Sequence, residues 1–216
     1  MRRYSAVIFD LDGVIWDGEP LYHRAFDVIL EPYGVTVSNE EYTNVIGSSV
    51  EAAWAWVLKQ KRIDEPVEKF LRPYDDAVMQ LLREPIEPLP GVRELLRDLH
   101  ARKIPVGLAS ASLRNWIDAT LAGLDLENQF AATVAANEVE HAKPAPDIYL
   151  RAAELLGVDP ETCVAFEDTM FGTQSAKSAG MFVVQVRAAS TALPPLSEAD
   201  AVIERYAQFD PGLFSE

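Results

Sequence analysis

The chain has 216 residues, 49% of them apolar, which is enough for one large domain or for a core with an insertion, and its composition is not that of a disordered chain. Its 34 acidic and 19 basic residues leave a formal net charge of -15, which argues against nucleic acid and anionic membranes as partners, since both call for basic surface. With one cysteine, Cys163, no internal disulfide can form, and no apolar run approaches the ~20 residues of a membrane span; a soluble, cytoplasmic monomer is expected.

The opening, MRRYSAVIFDLDG, enters a strand within five residues, with no signal peptide ahead of it. Ala6 to Phe9 is an apolar run of the kind found in strands covered on both faces, and therefore in parallel sheets. Two carboxylates follow, Asp10 and Asp12, then Gly13. One aspartate there would read as a helix cap. Two, at the carboxyl end of a buried strand where such sheets bind ligands, point to a hard cation or to a divided acid/base role.

From about Glu19 to Arg83 the text is helical, with no convincing strand. Leu21, Ala25, Val28 and Ile29 share one face of a first helix that Pro32 and Gly34 end. Ser38 with Glu41 and Ser48 with Glu51 form capping boxes, so helices should begin near Asn39 and Ser49; Asp64-Glu-Pro66 suits a fourth start. The three prolines of Glu84-Pro-Ile-Glu-Pro-Leu-Pro90 then form a stiff connection.

Helices and strands alternate after that. Gly91–Arg102, Leu113–Ala122 (capped by Ser112), Pro146–Leu156 and Gly172–Ala179 read as helices. Ile104–Ala109, Ala131–Ala136, Cys163–Phe166, Phe182–Val186 and Ala201–Ile203 read as strands. Spacing of this kind predicts an α/β fold, a doubly wound, Rossmann-like parallel sheet, with a helical cap domain inserted after the first strand. Residues 1–15 and 90–216 form the expected core and residues 16–89 the cap with its hinges, at about Trp16 to Glu19 and Arg83 to Leu89. Cys163, in an apolar run, is assigned to the core.

Each of the first four core strands delivers a polar group: Asp10 and Asp12, then Ser110, then Lys143, then Glu167 and Asp168. Meeting at one sheet edge, they would form an all-oxygen set suited to Mg²⁺, with Lys143 and Ser110 offsetting phosphoryl charge. A carboxylate can attack phosphorus, and a second, two residues on, can exchange protons with the leaving oxygen and then with water. Taken singly, Ser110 also fits a helix cap or turn, and one of Glu167 and Asp168 also fits the cap of the following helix.

The ordered pieces DLDGV, GLASAS, KPAPDIY and FEDTMFG resemble the haloacid dehalogenase-like hydrolase superfamily, in particular the helical-cap branch of β-phosphoglucomutase and small-molecule phosphatases. That resemblance spans the whole chain. It implies that Asp10 is the nucleophile, becoming an aspartyl phosphate, and that Asp12 is the general acid/base. It implies Mg²⁺ on the Asp10 side chain, the Asp12 backbone carbonyl and Asp168, with Glu167 as a ligand or behind one. Ser110, with the backbone of Ala111, would hold phosphate, and Lys143 would bridge nucleophile and phosphate. Asp12 disfavours dehalogenase chemistry, because the dehalogenases lack an acid there.

Further substrate contacts are expected from Asn115, which also fits a turn, and from His23, which falls where β-phosphoglucomutase-like proteins place a hinge histidine that helps position the proton-exchanging aspartate, and which also fits an exposed helix position. In the cap they are expected from Gly47 and Ser48, in a loop similar to the family's specificity loop. The cap should close over the site and select the substrate. Val50 stands where the mutase has an arginine for a second phosphate, which weakens the mutase reading. One of Trp54 and Trp56 should be cap core, since the two cannot share a helix face. The expected activity is a Mg²⁺-dependent phosphatase of a small phosphorylated metabolite, such as a sugar phosphate. A sugar phosphomutase is the alternative, and a catalytically silent binding protein the least favoured.

Overall fold

The structure, a computed structural model, describes residues 4–189 and 194–214. The chain divides into two units, one of Met1–Asp17 with Glu87–Glu216 and the other of Gly18–Ile86.

The larger unit is α/β. Its strands are β1 (Ala6–Phe9), β2 (Val106–Ser110), β3 (Ala132–Ala135), β4 (Cys163–Glu167), β5 (Phe182–Val186) and β6 (Ala201–Ile203). All neighbours pair in parallel, in the order β3-β2-β1-β4-β5-β6. The chain steps outward from β1 to β3 and then returns to place β4 on the other side of β1. Their carboxyl ends are thus the topological switch point, where doubly wound sheets open a crevice.

The helical unit holds α1 (Glu19–Leu30), α2 (Asn39–Tyr42), α3 (Val50–Lys61) and α4 (Glu68–Leu81). The larger unit adds α5 (Val92–Ala101), α6 (Arg114–Gly123), α7 (Asp147–Leu156) and α8 (Met170–Ser178). Ile148, Tyr149, Ala152 and Ala153 of α7 and Ala176 of α8 pack with Ile8, Ala109, Cys163 and Ala165 on one face of the sheet. Right-handed crossovers assign α5 and α6 to the other face, where Phe9 stacks on Phe166 at 4.8 Å between centroids.

The helical unit is organised around aromatic rings. Trp54 is fully buried, 4.8 Å from Phe70 and 4.7 Å from Phe26 between centroids. Three expectations shift here. The buried face of α1 is Tyr22, Ala25, Phe26 and Leu30, while Val28 is 51% exposed. Tyr22 and Phe26, four apart, bury more area than the aliphatic residues and set the helix rotation. The α2 capping box on Ser38 and Glu41 forms, but α3 is capped by Ser49, whose hydroxyl accepts the Ala52 N–H, and Ser48 donates to the Val45 carbonyl instead. The Pro66 turn precedes α4, which starts at Glu68 and carries Pro73 in its second turn.

Candidate active site

Side chains alternate across a strand. Ala6 and Ile8 of β1 face α7, so the next residue of that parity, Asp10, projects to the same side. On β4 the same face carries Cys163 and Ala165, and then Glu167. Register pairs Phe9 with Phe166, and the Asp10 N–H donates to the Phe166 carbonyl at 2.9 Å. Asp10 and Glu167 therefore emerge side by side on the face covered by α7.

Lys143 lies between them. Its ammonium donates to Asp10 Oδ1 and to Glu167 Oε1, each at 2.6 Å, and to the Ala109 carbonyl at 3.1 Å. The Lys143 side chain is 7% exposed and that of Glu167 fully buried. Ser175 holds the loop in place by donating to the Ala145 carbonyl at 2.6 Å. Tyr149 of α7 donates its hydroxyl to Glu167 Oε1 at 2.7 Å, and the ammonium sits 5.0 Å from the centre of its ring. Glu167 Oε2 accepts the Asp168 N–H at 3.1 Å and the Thr169 hydroxyl at 3.3 Å.

Backbone geometry places the rest. Ile15 N–H donates to the Leu11 carbonyl and Gly13 N–H to that of Trp16, closing a tight loop behind β1, with Gly13 at a φ of 75°. A Cβ on Gly13 would lie 2.0 Å from Asp168 Oδ2, so this glycine lets the Asp168 carboxylate approach the backbone. Carboxylate oxygens of Asp10, Glu167 and Asp168 lie within 4.8 Å of one another. At the end of β2, the Ser110 hydroxyl accepts the Ser112 N–H at 3.0 Å, and the Ser112 hydroxyl donates to Asp12 Oδ2 at 2.8 Å.

One ammonium among three carboxylates leaves surplus negative charge in a buried place. Burial pushes the Asp10 carboxyl up to about 8; Lys143 opposes that shift, while Glu167 and Asp12 add to it. Burial also works against the charge on Lys143, but Asp10 and Glu167 outweigh it and hold the ammonium above the usual lysine range. An ionised Asp10 thus calls for further positive charge beside it. Oxygen donors with no histidine or cysteine among them fit a hard divalent cation.

Asp10, Lys143, Glu167 and Asp168 thus come together, with Ser110 ending β2 and Asp12 in the loop after β1. Ala111 and Asn115 are exposed, at the end of β2 and in the first turn of α6. In the helical unit His23 donates to the Val37 carbonyl and stacks on Tyr42 at 4.5 Å, and Gly47 and Ser48 are exposed in the loop before α3. Two readings of helix caps are corrected. Ser112 does not cap α6, whose cap position is Leu113, and neither Glu167 nor Asp168 caps α8, because Thr169 does. Tyr149 and Gly13 are not legible as site residues in the sequence: the tyrosine reads locally as an apolar helix position, and the glycine as an ordinary turn.

Residues 4–180 match the haloacid dehalogenase-like hydrolases. A fructose-1-phosphate phosphatase of Escherichia coli K12 is 37% identical over 186 residues, covering 86% of this chain and 98% of its own. A phosphorylated carbohydrates phosphatase of Thermotoga maritima is 34% identical over 177 residues, 82% of each chain. A β-phosphoglucomutase crystal structure from Clostridium difficile superposes with a TM-score of 0.81 at 28% identity, covering 97% of this chain and 94% of that one. The chain belongs to the haloacid dehalogenase-like hydrolase family, and within it stands with the phosphatases.

Proposed function

We propose that the chain is a Mg²⁺-dependent phosphomonoester hydrolase acting on a small phosphorylated metabolite, with a sugar phosphate as the favoured substrate. The observation that carries this reading is the buried Asp10 carboxylate, with the Lys143 ammonium at 2.6 Å and Asp168 and Glu167 beside it. Asp10 attacks phosphorus and the bond to the leaving oxygen breaks, as Asp12 gives that oxygen a proton. Asp12 then takes a proton from the water that attacks the aspartyl phosphate, freeing inorganic phosphate and restoring Asp10. Ser110, with the Ala111 backbone, and Lys143 hold the phosphoryl oxygens and offset their charge. Asp10, Asp168 and the Asp12 backbone carbonyl would hold Mg²⁺, which would supply the remaining positive charge. Glu167 Oε1 is engaged by Lys143 and Tyr149, and Oε2 by Asp168 and Thr169, so Glu167 is assigned to orienting Lys143.

Substrate selection is assigned to the helical unit through Gly47 and Ser48. Names of the relatives support a phosphorylated carbohydrate as substrate. The mutase reading is disfavoured because Val50, opening α3, offers no charge to a second phosphate. In a screen of phosphorylated metabolites, with and without Mg²⁺, inorganic phosphate should be released only with the cation, and chelation should abolish turnover. The Asp10→Asn variant should lose at least about a thousandfold in kcat. Turnover unchanged by either treatment would refute the metal or the nucleophile, respectively.

A further inference from the structure

We infer that Ser112 is a positioning residue for Asp12, fixing the orientation of the proton-exchanging carboxylate. This rests on the reading of Asp12 as the general acid/base. Ser112 stands just before the cap of α6, where a serine would ordinarily satisfy the first helical N–H groups. Leu113 takes the cap position with extended backbone (ψ of 155°) and no side-chain bond, and the Ser112 hydroxyl is directed instead to Asp12 Oδ2 at 2.8 Å, across a hundred residues of sequence.

That hydroxyl is delivered by a turn built from other groups. The Ser112 N–H donates to the Ser110 hydroxyl at 3.0 Å, and the Ser112 carbonyl accepts the Ala136 N–H at 3.1 Å. Neither bond uses the Ser112 side chain, which is therefore available to act on Asp12 alone. Ser112 is 9% exposed, so its rotation is restricted by packing and its proton has a defined target. An aspartate has two free torsions, and a misdirected carboxylate must be reoriented before each transfer. Holding one oxygen removes that search both when Asp12 donates to the leaving group and when it later accepts from water.

The test uses 4-nitrophenyl phosphate with Mg²⁺, and reads kcat, KM and the amount of acid-quenched phosphoenzyme. Ser112→Ala should lower kcat by about ten- to a hundredfold, part of what general acid/base catalysis contributes, with KM little changed and phosphoenzyme accumulating. Ser112→Thr, which keeps the hydroxyl, should restore kcat, while its near-isostere Ser112→Val should not. This pair decides the matter even if the alanine variant folds poorly. Ser112→Ala should have no further effect in an Asp12→Ala background, because the serine acts through that carboxylate. An unchanged kcat, a change in KM alone, or an additive loss on the Asp12→Ala background would overturn the inference while leaving Asp12 its role. An Asp12→Ala variant with full turnover would remove that role first, and this inference with it.

Discussion

The two units handle polarity in opposite ways. Among the described residues every buried polar or charged side chain, Asp10, Glu167 and Ser112 included, lies in the α/β unit. The helical unit buries rings and aliphatic groups and keeps its charges at the surface, as in the Arg24–Glu84 pair, whose side chains are half-exposed. Burying charge costs stability unless each group is paired. An architecture that concentrates such groups at the ends of β1 and β4 reflects chemistry, whereas the helical unit reflects ordinary core packing. The contrast teaches where substitutions of buried residues should alter turnover and where they should alter stability alone.

The largest effect should come from Lys143→Met. It removes the ammonium that lies 2.6 Å from both Asp10 and Glu167 and leaves two neighbouring buried carboxylates without their cation. Breaking a buried pair in this way costs about 3–5 kcal/mol, so the urea midpoint of the α/β unit should fall along with nearly all turnover. A variant that lost activity at unchanged stability would mean that this charge is not held as tightly as the geometry implies.

Much of that contrast was legible in the text of the chain. The apolar runs ending in Asp10, Ser110 and Glu167 are strands at the expected places, and β5 and β6 have the expected limits. Such strands read clearly because both faces are buried and the run is unbroken. Less legible were features decided by partners distant in sequence. Tyr149 has the spacing of a helix core residue, and only the face of β4 opposite it brings Glu167 to its hydroxyl. Ser112 carries a valid capping signal and bonds to Asp12 instead. Gly13 reads as a turn, while the approach of Asp168 is what excludes a side chain there. In the helical unit two adjacent serines left the α3 cap ambiguous by one residue, and aliphatic periodicity misplaced the buried face of α1, because ring area outweighs it.

Trp54→Ala should sharpen the same comparison from the other side. Its ring is enclosed by Phe26, Phe70 and Tyr74, so truncation leaves a large cavity. Replacing a buried tryptophan costs about 3–5 kcal/mol. Amides of α1, α3 and α4 should exchange faster by the corresponding factor, while those of β1, β2 and β4 keep their protection. Equal loss of protection in both sets would mean that the two units unfold as one, and the distinction drawn between them would then be one of composition only.

The smallest effect is expected at Glu41. The Lys61 ammonium, 2.6 and 2.7 Å from its two oxygens, and the Ser38 N–H hold its carboxyl down to about 2. A carboxylate depressed in the folded state contributes stability above its ordinary value of 4.5, and that contribution is lost as pH falls through about 2. Glu41→Gln should therefore speed exchange of the α2 and α3 amides at neutral pH, with the difference from the parent shrinking below about pH 4.5 and vanishing near pH 2. Added salt should reduce the same difference, since the pair is partly exposed and open to screening. A difference that persisted undiminished at pH 2 would assign the stabilisation to the capping geometry of Ser38 and Glu41 and not to the charge of the pair.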